Sequence, residues 1–233
     1  MTNIKENLQV VRSEIARALE RRKSASRDEV IKLIAVTKNH EVEAMRIAID
    51  EGAAEIGENR VQEAAEKYKL LDRQVTWHLI GHLQTNKAKQ AVKIFDLIHS
   101  IDSEHIAESV NRAAKLNDKI QEVLIQVNLA KEDTKSGIYV EELDSLVEKV
   151  DELENLKLRG LMMIAPNYED VEKCRPLFSE MYEIFQRLRQ RKLKRANIKY
   201  LSMGMTNDYK IAIEEGANIV RVGTAIFGQR NYN

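Results

Sequence analysis

The stretch IKLIAVTK, at residues 31–38, is a short apolar and β-branched run that ends in a threonine and a lysine. A run without alternation between polar and apolar residues is typical of a strand buried on both faces of a parallel sheet. The amphipathic pattern EVEAMRIAIDEG follows at 41–52 and ends in a glycine, which suits a left-handed helix terminus. Together the two segments predict one strand–helix unit of an α/β fold.

Further runs of this kind recur along the chain, separated by charge-rich amphipathic segments. We predict strands at 31–38, 55–59, 76–82, 97–102, 122–128, 158–165, 200–204 and 219–228. Helical patterns between them include 60–71, 103–117, 140–150, 169–192 and 207–216. Eight strand–helix units within 233 residues predict an α/β fold, a single closed (β/α)8 TIM barrel, which typically takes roughly 250 residues.

The segment before the first strand predicts one addition to the barrel. Residues 1–28 carry apolar residues at helical spacing, so we expect an extra N-terminal helix that packs on the barrel. No linker rich in glycine and serine and no low-complexity tract interrupts the remaining sequence. The sequence therefore predicts one domain over residues 1–233.

The charge balance and the single cysteine restrict the function classes. Lys plus Arg and Asp plus Glu both count 37, so no net field attracts nucleic acid or a membrane surface. The N-terminal segment mixes charged with apolar residues and lacks the unbroken apolar stretch of a signal peptide or membrane span. Cys174 alone can build neither an internal disulfide nor a cysteine-rich metal site. We therefore expect a cytoplasmic protein that binds neither nucleic acid nor membranes.

Polar residues close many of the predicted strands, and TIM barrels place their active sites at those strand ends. The candidates are Lys38, Glu58, Asn59, His82, Asn128, Ser202, Arg221, Gly223 and Thr224. Lys38 follows an apolar run, and partial desolvation lowers the pKa of a lysine and frees its amine to attack a carbonyl. The alternative is a lysine that extends past the barrel rim into water. The functional interpretation predicts Schiff-base chemistry at Lys38.

The last two predicted units favour a phosphate site. SMGMTND at 202–208 and RVGTAIFG at 221–228 each join a strand to hydroxyl residues in a glycine-containing turn. TIM barrels often bind phosphate at the loops after strands seven and eight, where Ser202, Thr224 and backbone N–H groups would be available. Alternatively, Gly204 and Gly223 only serve tight turns. A lysine opposite a phosphate cup predicts a phosphorylated aldehyde as ligand.

Arg221 precedes Gly223 by two residues, so strand alternation puts both on one face. A guanidinium there can face the ring nitrogen of a cofactor, and the alternative is an ion pair with a neighbouring carboxylate. Because arginine is a permanent donor, that ring nitrogen would stay unprotonated and would be a poor electron sink. This residue choice predicts weak carbanion chemistry.

The histidines do not predict a metal site. His78 and His82 lie four apart on a predicted strand, a spacing that does not match a metal pair on one helical turn. His82 ends its strand and is the better site candidate, whereas His78 is expected to be a hydrogen-bonded packing residue. His40, His99 and His105 show no pattern that suggests a role. We expect no bound metal.

Several motifs resemble one known family. IAVTK, IGENRVQE, WHLIGHLQTNK, GLMMIAP, LSMGMTND and RVGTAIFG occur in the order found in the pyridoxal phosphate homeostasis proteins, the YggS/PROSC group, and the match spans nearly the whole chain. The resemblance implies a barrel like the N-terminal domain of alanine racemase (fold type III). It also implies covalently bound pyridoxal 5′-phosphate and a role in vitamin B6 and amino-acid homeostasis without an agreed catalytic activity.

The resemblance also assigns roles to individual residues. Lys38 would form the internal aldimine and Arg221 would meet the pyridine nitrogen. The pocket would be lined by Asn59 and His82, and the phosphate would be held by Ser202, Gly223 and Thr224. Thr37 and Thr206 stand where many members have serine, and both keep the hydroxyl.

The main alternative is a pyridoxal phosphate-dependent amino-acid racemase with weak activity. Alanine racemases resemble this barrel but add a C-terminal β-domain that supplies a tyrosine base, and the predicted strands here end near the last residue. Tyr209, Tyr232 and His82 are possible substitutes for that base. A Schiff-base aldolase acting on a phosphorylated sugar is a third possibility. We expect a carrier that binds pyridoxal phosphate and passes it to apo-enzymes, as a monomer or weak dimer.

Overall fold

The computed structural model describes residues 3–23, 29–132 and 134–228. Eight parallel strands form a closed barrel in which each strand pairs with the next in sequence and the last pairs with the first. The strands are β1 (Lys32–Val36), β2 (Glu55–Glu58), β3 (Thr76–Leu79), β4 (Leu97–Ile101), β5 (Gln121–Val127), β6 (Leu156–Met163), β7 (Tyr200–Met205) and β8 (Ile219–Val222). The predicted TIM barrel is confirmed.

Helices cover the outside of the barrel. They are α1 (Ile4–Glu20), α2 (Val42–Asp50), α3 (Val61–Leu70), α4 (Ala88–Ile94), α5 (Glu104–Lys115), α6 (Leu143–Glu152), α7 (Arg175–Arg189), α8 (Tyr209–Glu214) and α9 (Thr224–Phe227). Short 3-10 helices precede α4, α6 and α7 at Thr85–Lys87, Val140–Glu142 and Val171–Cys174. None of the described helices combines the length and apolar character needed to cross a membrane.

The end of the barrel differs from the prediction of a strand over 219–228. Strand β8 stops at Val222, and Thr224–Phe227 forms the short helix α9. The backbone N–H groups of Ile226 and Phe227 both donate to the Gly223 carbonyl, at 2.8 and 2.9 Å, which closes the helical turn. The extended prediction for 223–228 was therefore wrong, and Thr224 opens a helix instead of continuing a strand.

The pairing of β1 with β8 closes the barrel and brings the two predicted halves of the site together. Lys32 lies opposite Ile219, and the register runs on to Ala35 opposite Val222. Lys38 follows β1 and Gly223 follows β8, so both residues lie at the same end of the barrel, beside each other.

Apolar side chains fill the barrel on both sides of the strands. Inside lies a cluster formed by Ile34, Val36, Ile80, Leu97, Leu124, Met162 and Ile219. A larger cluster lies between strands and helices and includes the buried faces of α5, α6 and α7. These layers hold the strand ends in place and leave the polar residues at the C-terminal rim.

Helix α1 covers one side of the barrel against α8 and α9. The Asn7 side chain donates to the Ile226 carbonyl at 2.8 Å, and Tyr209 on α8 donates to Glu14. After the helix, the fully buried Arg22 side chain donates to the Ile213 carbonyl at 2.7 Å. Residues 1–2 and 24–28 of the predicted N-terminal segment lie outside the described residues.

Candidate functional site

A cavity of about 380 Å³ lies at the C-terminal ends of the strands. Its lining includes Lys38, Asn59, Asp208, Arg221, Gly223 and Thr224. A second hollow of about 520 Å³ lies at the opposite end of the barrel, where the strands begin. We place the site in the first cavity, because the polar strand ends converge there and TIM barrels carry their chemistry at that face.

Lys38 lies in a turn that is fixed on both sides. Just before it, the carbonyl of Thr37 accepts a hydrogen bond from Lys67 Nζ at 2.7 Å. Just after it, the N–H of Asn39 donates to Glu63 Oε1 at 2.5 Å, and Asn39 adopts the left-handed conformation with a φ of 59°. Both anchors come from α3, so this helix sets the direction in which Lys38 leaves the barrel rim.

A buried charge cluster lies beneath this turn. Glu58, the last residue of β2, is fully buried and accepts hydrogen bonds from Thr37 Oγ1 at 2.6 Å and Lys67 Nζ at 2.8 Å. Lys67 Nζ also lies 2.6 Å from Glu63 Oε1. Burial raises the pKa of Glu58, while Lys67 opposes that rise. The sequence prediction named Glu58 only as a strand end and did not identify its pairing with Lys67, nine residues away.

Arg221 forms the floor of the cavity. Its Nη1 donates to the carbonyl and hydroxyl oxygens of Ser202 at 3.0 and 2.6 Å, and its Nη2 donates to the Met163 carbonyl at 2.8 Å. Burial lowers the pKa of Arg221 to about 10, so the guanidinium stays charged at neutral pH. The charge of Asp208, which lines the same cavity, opposes this lowering of the Arg221 pKa, although no carboxylate of the described residues lies within salt-bridge distance of the guanidinium.

The loops after β7 and β8 meet at one side of the cavity. The Gly223 N–H donates to Thr206 Oγ1 at 3.3 Å, which ties the two loops together. Thr224 opens α9, and the first N–H groups of a helix have no partner within it. A Cβ on Gly223 would lie 3.3 Å from Val36 Cβ, so the missing side chain keeps the space between β1 and β8 open.

Gly204 lies within a strand and packs against a helix, whereas the alternative interpretation expected it to serve a tight turn. It lies within β7 at a φ of 92°, and a Cβ there would lie 2.6 Å from the Cβ of Ala212 on α8. Its place is beneath the loop, outside the lining of the cavity.

Four of the candidate residues do not line the cavity: Glu58, His82, Asn128 and Ser202. Glu58 lies in the buried charge cluster, and the Asn128 side-chain amide donates to the Glu132 carbonyl at 2.8 Å. Ser202 is fully buried, and its hydroxyl contacts Arg221 and His99 below the cavity floor. His82 follows β3 in a loop with its side chain 55% exposed, and its Nδ1 lies 3.4 Å from Asp102 Oδ2. The structure thus brings Lys38, Asn59, Arg221, Gly223 and Thr224 together, with Ser202 one layer below and His82 at the rim.

Asp208 is a lining residue that the sequence prediction missed. Its Oδ1 accepts a hydrogen bond from the Met205 N–H at 2.6 Å, and burial raises its pKa. The sequence feature that could have identified Asp208 is its position as the last residue of SMGMTND, directly before α8.

The possible substitutes for a tyrosine base lie elsewhere. Tyr209 donates to Glu14 on α1, and burial and this contact raise its pKa above the ordinary value. Tyr232 lies outside the described residues. The described lining of the cavity contains neither tyrosine nor histidine.

The chain is similar in sequence to several known proteins. Residues 3–231 match the family described as alanine racemase, N-terminal domain. A pyridoxal phosphate homeostasis protein of Aquifex aeolicus is 43% identical over 232 residues, which cover 99% of this chain and 100% of that protein. A protein of the same name from Escherichia coli K12 is 40% identical over 238 residues, covering 100% of this chain and 99% of the relative.

Solved structures share the fold. PipY of Synechococcus elongatus PCC7942, solved with PLP bound, is 36% identical with a TM-score of 0.83, covering 97% of this chain and 100% of that one. An alanine racemase of Clostridium difficile 630 is 18% identical with a TM-score of 0.72, covering 99% of this chain and 58% of that one. The second likeness shows a common barrel fold.

Proposed function

Because this chain belongs to the alanine racemase N-terminal-domain family, and within it to the pyridoxal phosphate homeostasis proteins, we propose that it binds pyridoxal 5′-phosphate. The cofactor would lie in the cavity at the C-terminal ends of the strands. The protein would serve the homeostasis of vitamin B6, as the names of its relatives and the PLP-bound PipY structure suggest, and through it the homeostasis of amino acids.

One observation carries the proposal: a primary amine, a buried guanidinium and two joined loops line the same cavity. The donor set fits the groups of pyridoxal phosphate, which are an aldehyde, an acceptor nitrogen in the ring and a phosphate. Arg221 gives three hydrogen bonds to Ser202 and Met163 among the described residues, and a guanidinium has about five N–H donors, so it keeps donors for a ligand. The residues present therefore fit the cofactor.

Lys38 would make the covalent attachment. The aldehyde of pyridoxal phosphate forms a Schiff base with a primary amine, and Lys38 is the amine that the described lining offers. The two α3 anchors on Thr37 and Asn39 hold the turn of Lys38, so the amine is placed before the ligand arrives.

The other lining residues would orient the ligand. Arg221 donates but accepts nothing, so it would hold a ring nitrogen in its unprotonated form. The hydroxyl of Thr224 and the N–H groups at the start of α9 would hold the phosphate, with Gly223 leaving the room that it needs. Asn59 would offer its side-chain amide at the end of β2, next to the turn of Lys38.

A carrier role is favoured over racemisation. Reversible proton transfer from both faces of a substrate needs two bases, and the described lining offers Lys38 and the buried carboxylate Asp208. The Asp208 carboxylate already accepts a hydrogen bond from the Met205 N–H, so we assign it to holding the loop after β7. We propose that the protein holds pyridoxal phosphate and passes it to apo-enzymes in the cytoplasm, as a monomer or weak dimer. The buried thiol of Cys174, its pKa raised to about 11 by burial, is consistent with a reducing compartment.

The test is an absorption spectrum of the purified protein with added pyridoxal phosphate, followed by borohydride reduction and peptide mapping. We expect a yellow protein and a pyridoxyl adduct on Lys38. The Lys38→Ala variant is expected to lose the band and the adduct, whereas Lys69→Ala, exposed on α3, keeps both. An unchanged spectrum in Lys38→Ala would overturn the assignment of Lys38.

A turnover assay separates carrier from enzyme. We expect alanine racemisation far below that of ordinary racemases, and transfer of the cofactor to an apo-enzyme mixed with the loaded protein. Racemisation at ordinary rates would replace the carrier proposal with the racemase alternative.

A further inference from the structure

A line of polar side chains crosses the interior of the barrel. It begins at Lys32 and Glu55, which line the hollow where the strands begin, and ends at Arg221 in the cavity floor. Between these ends lie His78, His99 and Ser202, none of them more than 2% exposed. The buried positions of a barrel interior are usually apolar, so a continuous polar line there needs a reason.

Each member contacts the next. Arg221 Nη1 lies 2.6 Å from Ser202 Oγ, and Ser202 Oγ lies 3.0 Å from His99 Nδ1. His99 Nε2 lies 2.9 Å from His78 Nδ1, and His78 Nε2 lies 3.0 Å from Glu55 Oε2. These last two atoms lie within ion-pair distance of each other, and neither makes a geometrically complete hydrogen bond among the described residues. Glu55 also contacts Lys32.

The positions of the protons follow from the two ends. A guanidinium only donates, so Ser202 Oγ accepts from Arg221, and the hydroxyl hydrogen is then available to His99 Nδ1. A neutral His99 that accepts at Nδ1 carries its proton on Nε2 and donates it to His78 Nδ1. His78 then carries its proton on Nε2, the nitrogen that faces the Glu55 carboxylate at 3.0 Å. Each proton of the line then points away from the cation at Arg221 and toward the anion at Glu55.

The charge states agree with this direction. Burial, together with the positive charge of Arg221, holds the pKa of His99 well below its usual range, so His99 is neutral. Burial opposes ionisation of Glu55, but contacts with His78 and Lys32 lower its pKa overall, so its carboxylate is charged. Aligned hydrogen bonds that end on an anion strengthen each other in a low-dielectric interior.

We propose that Glu55, His78 and His99 are positioning residues for Arg221, acting through the Ser202 hydroxyl to keep the guanidinium aimed into the cavity. The inference rests on the proposed function, because the group that Arg221 would meet is the ring nitrogen of pyridoxal phosphate. Ser202 is thereby a positioning residue beneath the site. This role explains why four polar side chains on four different strands, β2, β3, β4 and β7, share the interior.

The first test needs no cofactor. Nitrogen-15 NMR of the histidine-labelled protein, with signals assigned by His78→Gln and His99→Gln, reports which ring nitrogen carries the proton. We expect His78 and His99 both to be neutral and protonated on Nε2. A proton on Nδ1 of His99, or a doubly protonated His78, would reverse or break the line and overturn the proposal.

The second test compares two ligands. The His99→Gln variant is expected to bind pyridoxal phosphate about tenfold more weakly, the effect of one charge-assisted hydrogen bond. Its affinity for the analogue with carbon in place of the ring nitrogen is expected to equal that of the wild type, because that analogue accepts no bond from Arg221. His105→Gln, exposed on α5, is the matched control and should leave both affinities unchanged.

The outcomes distinguish failure of the positioning role from failure of the proposed function. Equal losses for both ligands would show that His99 only supports the fold of the site, and no loss for either would show that Arg221 is oriented without the line. Either result overturns the positioning role. If the wild type binds neither ligand, the proposed function itself fails.

Discussion

Lys67 ties the turn of Lys38 to the rest of the molecule. Its ammonium contacts the Thr37 carbonyl and the carboxylates of Glu58 and Glu63 within 2.8 Å, although the residue is buried. The position of the proposed attachment residue thus depends on a cation that never reaches the cavity lining.

Replacing Lys67 by Met should therefore destabilise the protein. Removal of the cation leaves Glu58 buried without its ion partner, which typically costs about 3–5 kcal/mol. Urea unfolding measures the loss, and Lys69→Met, at an exposed site on the same helix, serves as control.

A double variant sharpens this prediction. Lys67→Met with Glu58→Gln removes both buried charges, so it should recover part of the stability lost in Lys67→Met. If the single variant unfolds at the same urea concentration as Lys69→Met, the charge cluster does not hold the turn.

At the scale of residues, strand ends predicted much of the site. Lys38, Asn59, Arg221, Gly223 and Thr224 share the cavity because they close neighbouring strands. Ser202 lies lower, because β7 continues past it to Met205 and Ser202 pairs with Ile219 at the start of β8, with a register shift between Ser202 and Met205. A single sequence carries no signal for such a shift, nor for the distant partners of Glu58 and His99.

At the scale of elements, the contact of β7 with α8 depends on Gly204. Its φ of 92° is strained for any residue with a side chain, and a Cβ would lie 2.6 Å from Ala212 Cβ and 2.8 Å from Tyr209 Cα. The loop that carries Thr206 and Asp208 joins these two elements.

Gly204→Ala is expected to cost about 3 kcal/mol from backbone strain and overpacking, and to weaken pyridoxal phosphate binding as the loop shifts. The matched control is Gly52→Ala, also at a positive φ of 87°, where the Cβ would meet only the flexible end of Arg12 at 3.2 Å. Thermal unfolding of both variants checks the difference. A smaller loss in Gly204→Ala than in Gly52→Ala would contradict this account of the β7–α8 contact.

Two helices show where element prediction from the sequence fails. Helix α4 has seven residues and was not among the predicted patterns, because AKQAVKI offers too few turns for a clear period. Helix α9 has four residues and was taken for strand, because TAIF follows a β-branched run directly. In both cases the helix is too short to show a periodic pattern of apolar residues, whatever its composition.

At the scale of the whole molecule, the repeated alternation of strand and helix sufficed to predict the closed barrel. The polar line through its interior could not be predicted, since it joins residues from different strands. That line makes the free energy of unfolding depend on pH, because the buried His99 stays neutral in the native state at a pH where a free histidine binds a proton.

Acid should therefore destabilise the protein through His99. Below a pH of about 6.5 the unfolded chain binds a proton at this histidine and the native state does not, so stability falls as the pH falls. This group alone should contribute about 1.4 kcal/mol per pH unit in that window. Urea unfolding of wild type and His99→Gln across the window tests it: the variant should have the shallower slope, and parallel curves would contradict the prediction.

The pairing of β1 with β8 also has a consequence for synthesis. The ribosome makes Lys38 early and Arg221, Gly223 and Thr224 late, yet all four must meet across that pairing to form the cavity. A nascent chain therefore carries the proposed attachment lysine without the rest of the cavity. On the proposed function, stable capture of pyridoxal phosphate would have to wait until translation has passed the eighth strand, and unfinished chains on polysomes would not drain the cellular pool of the vitamin.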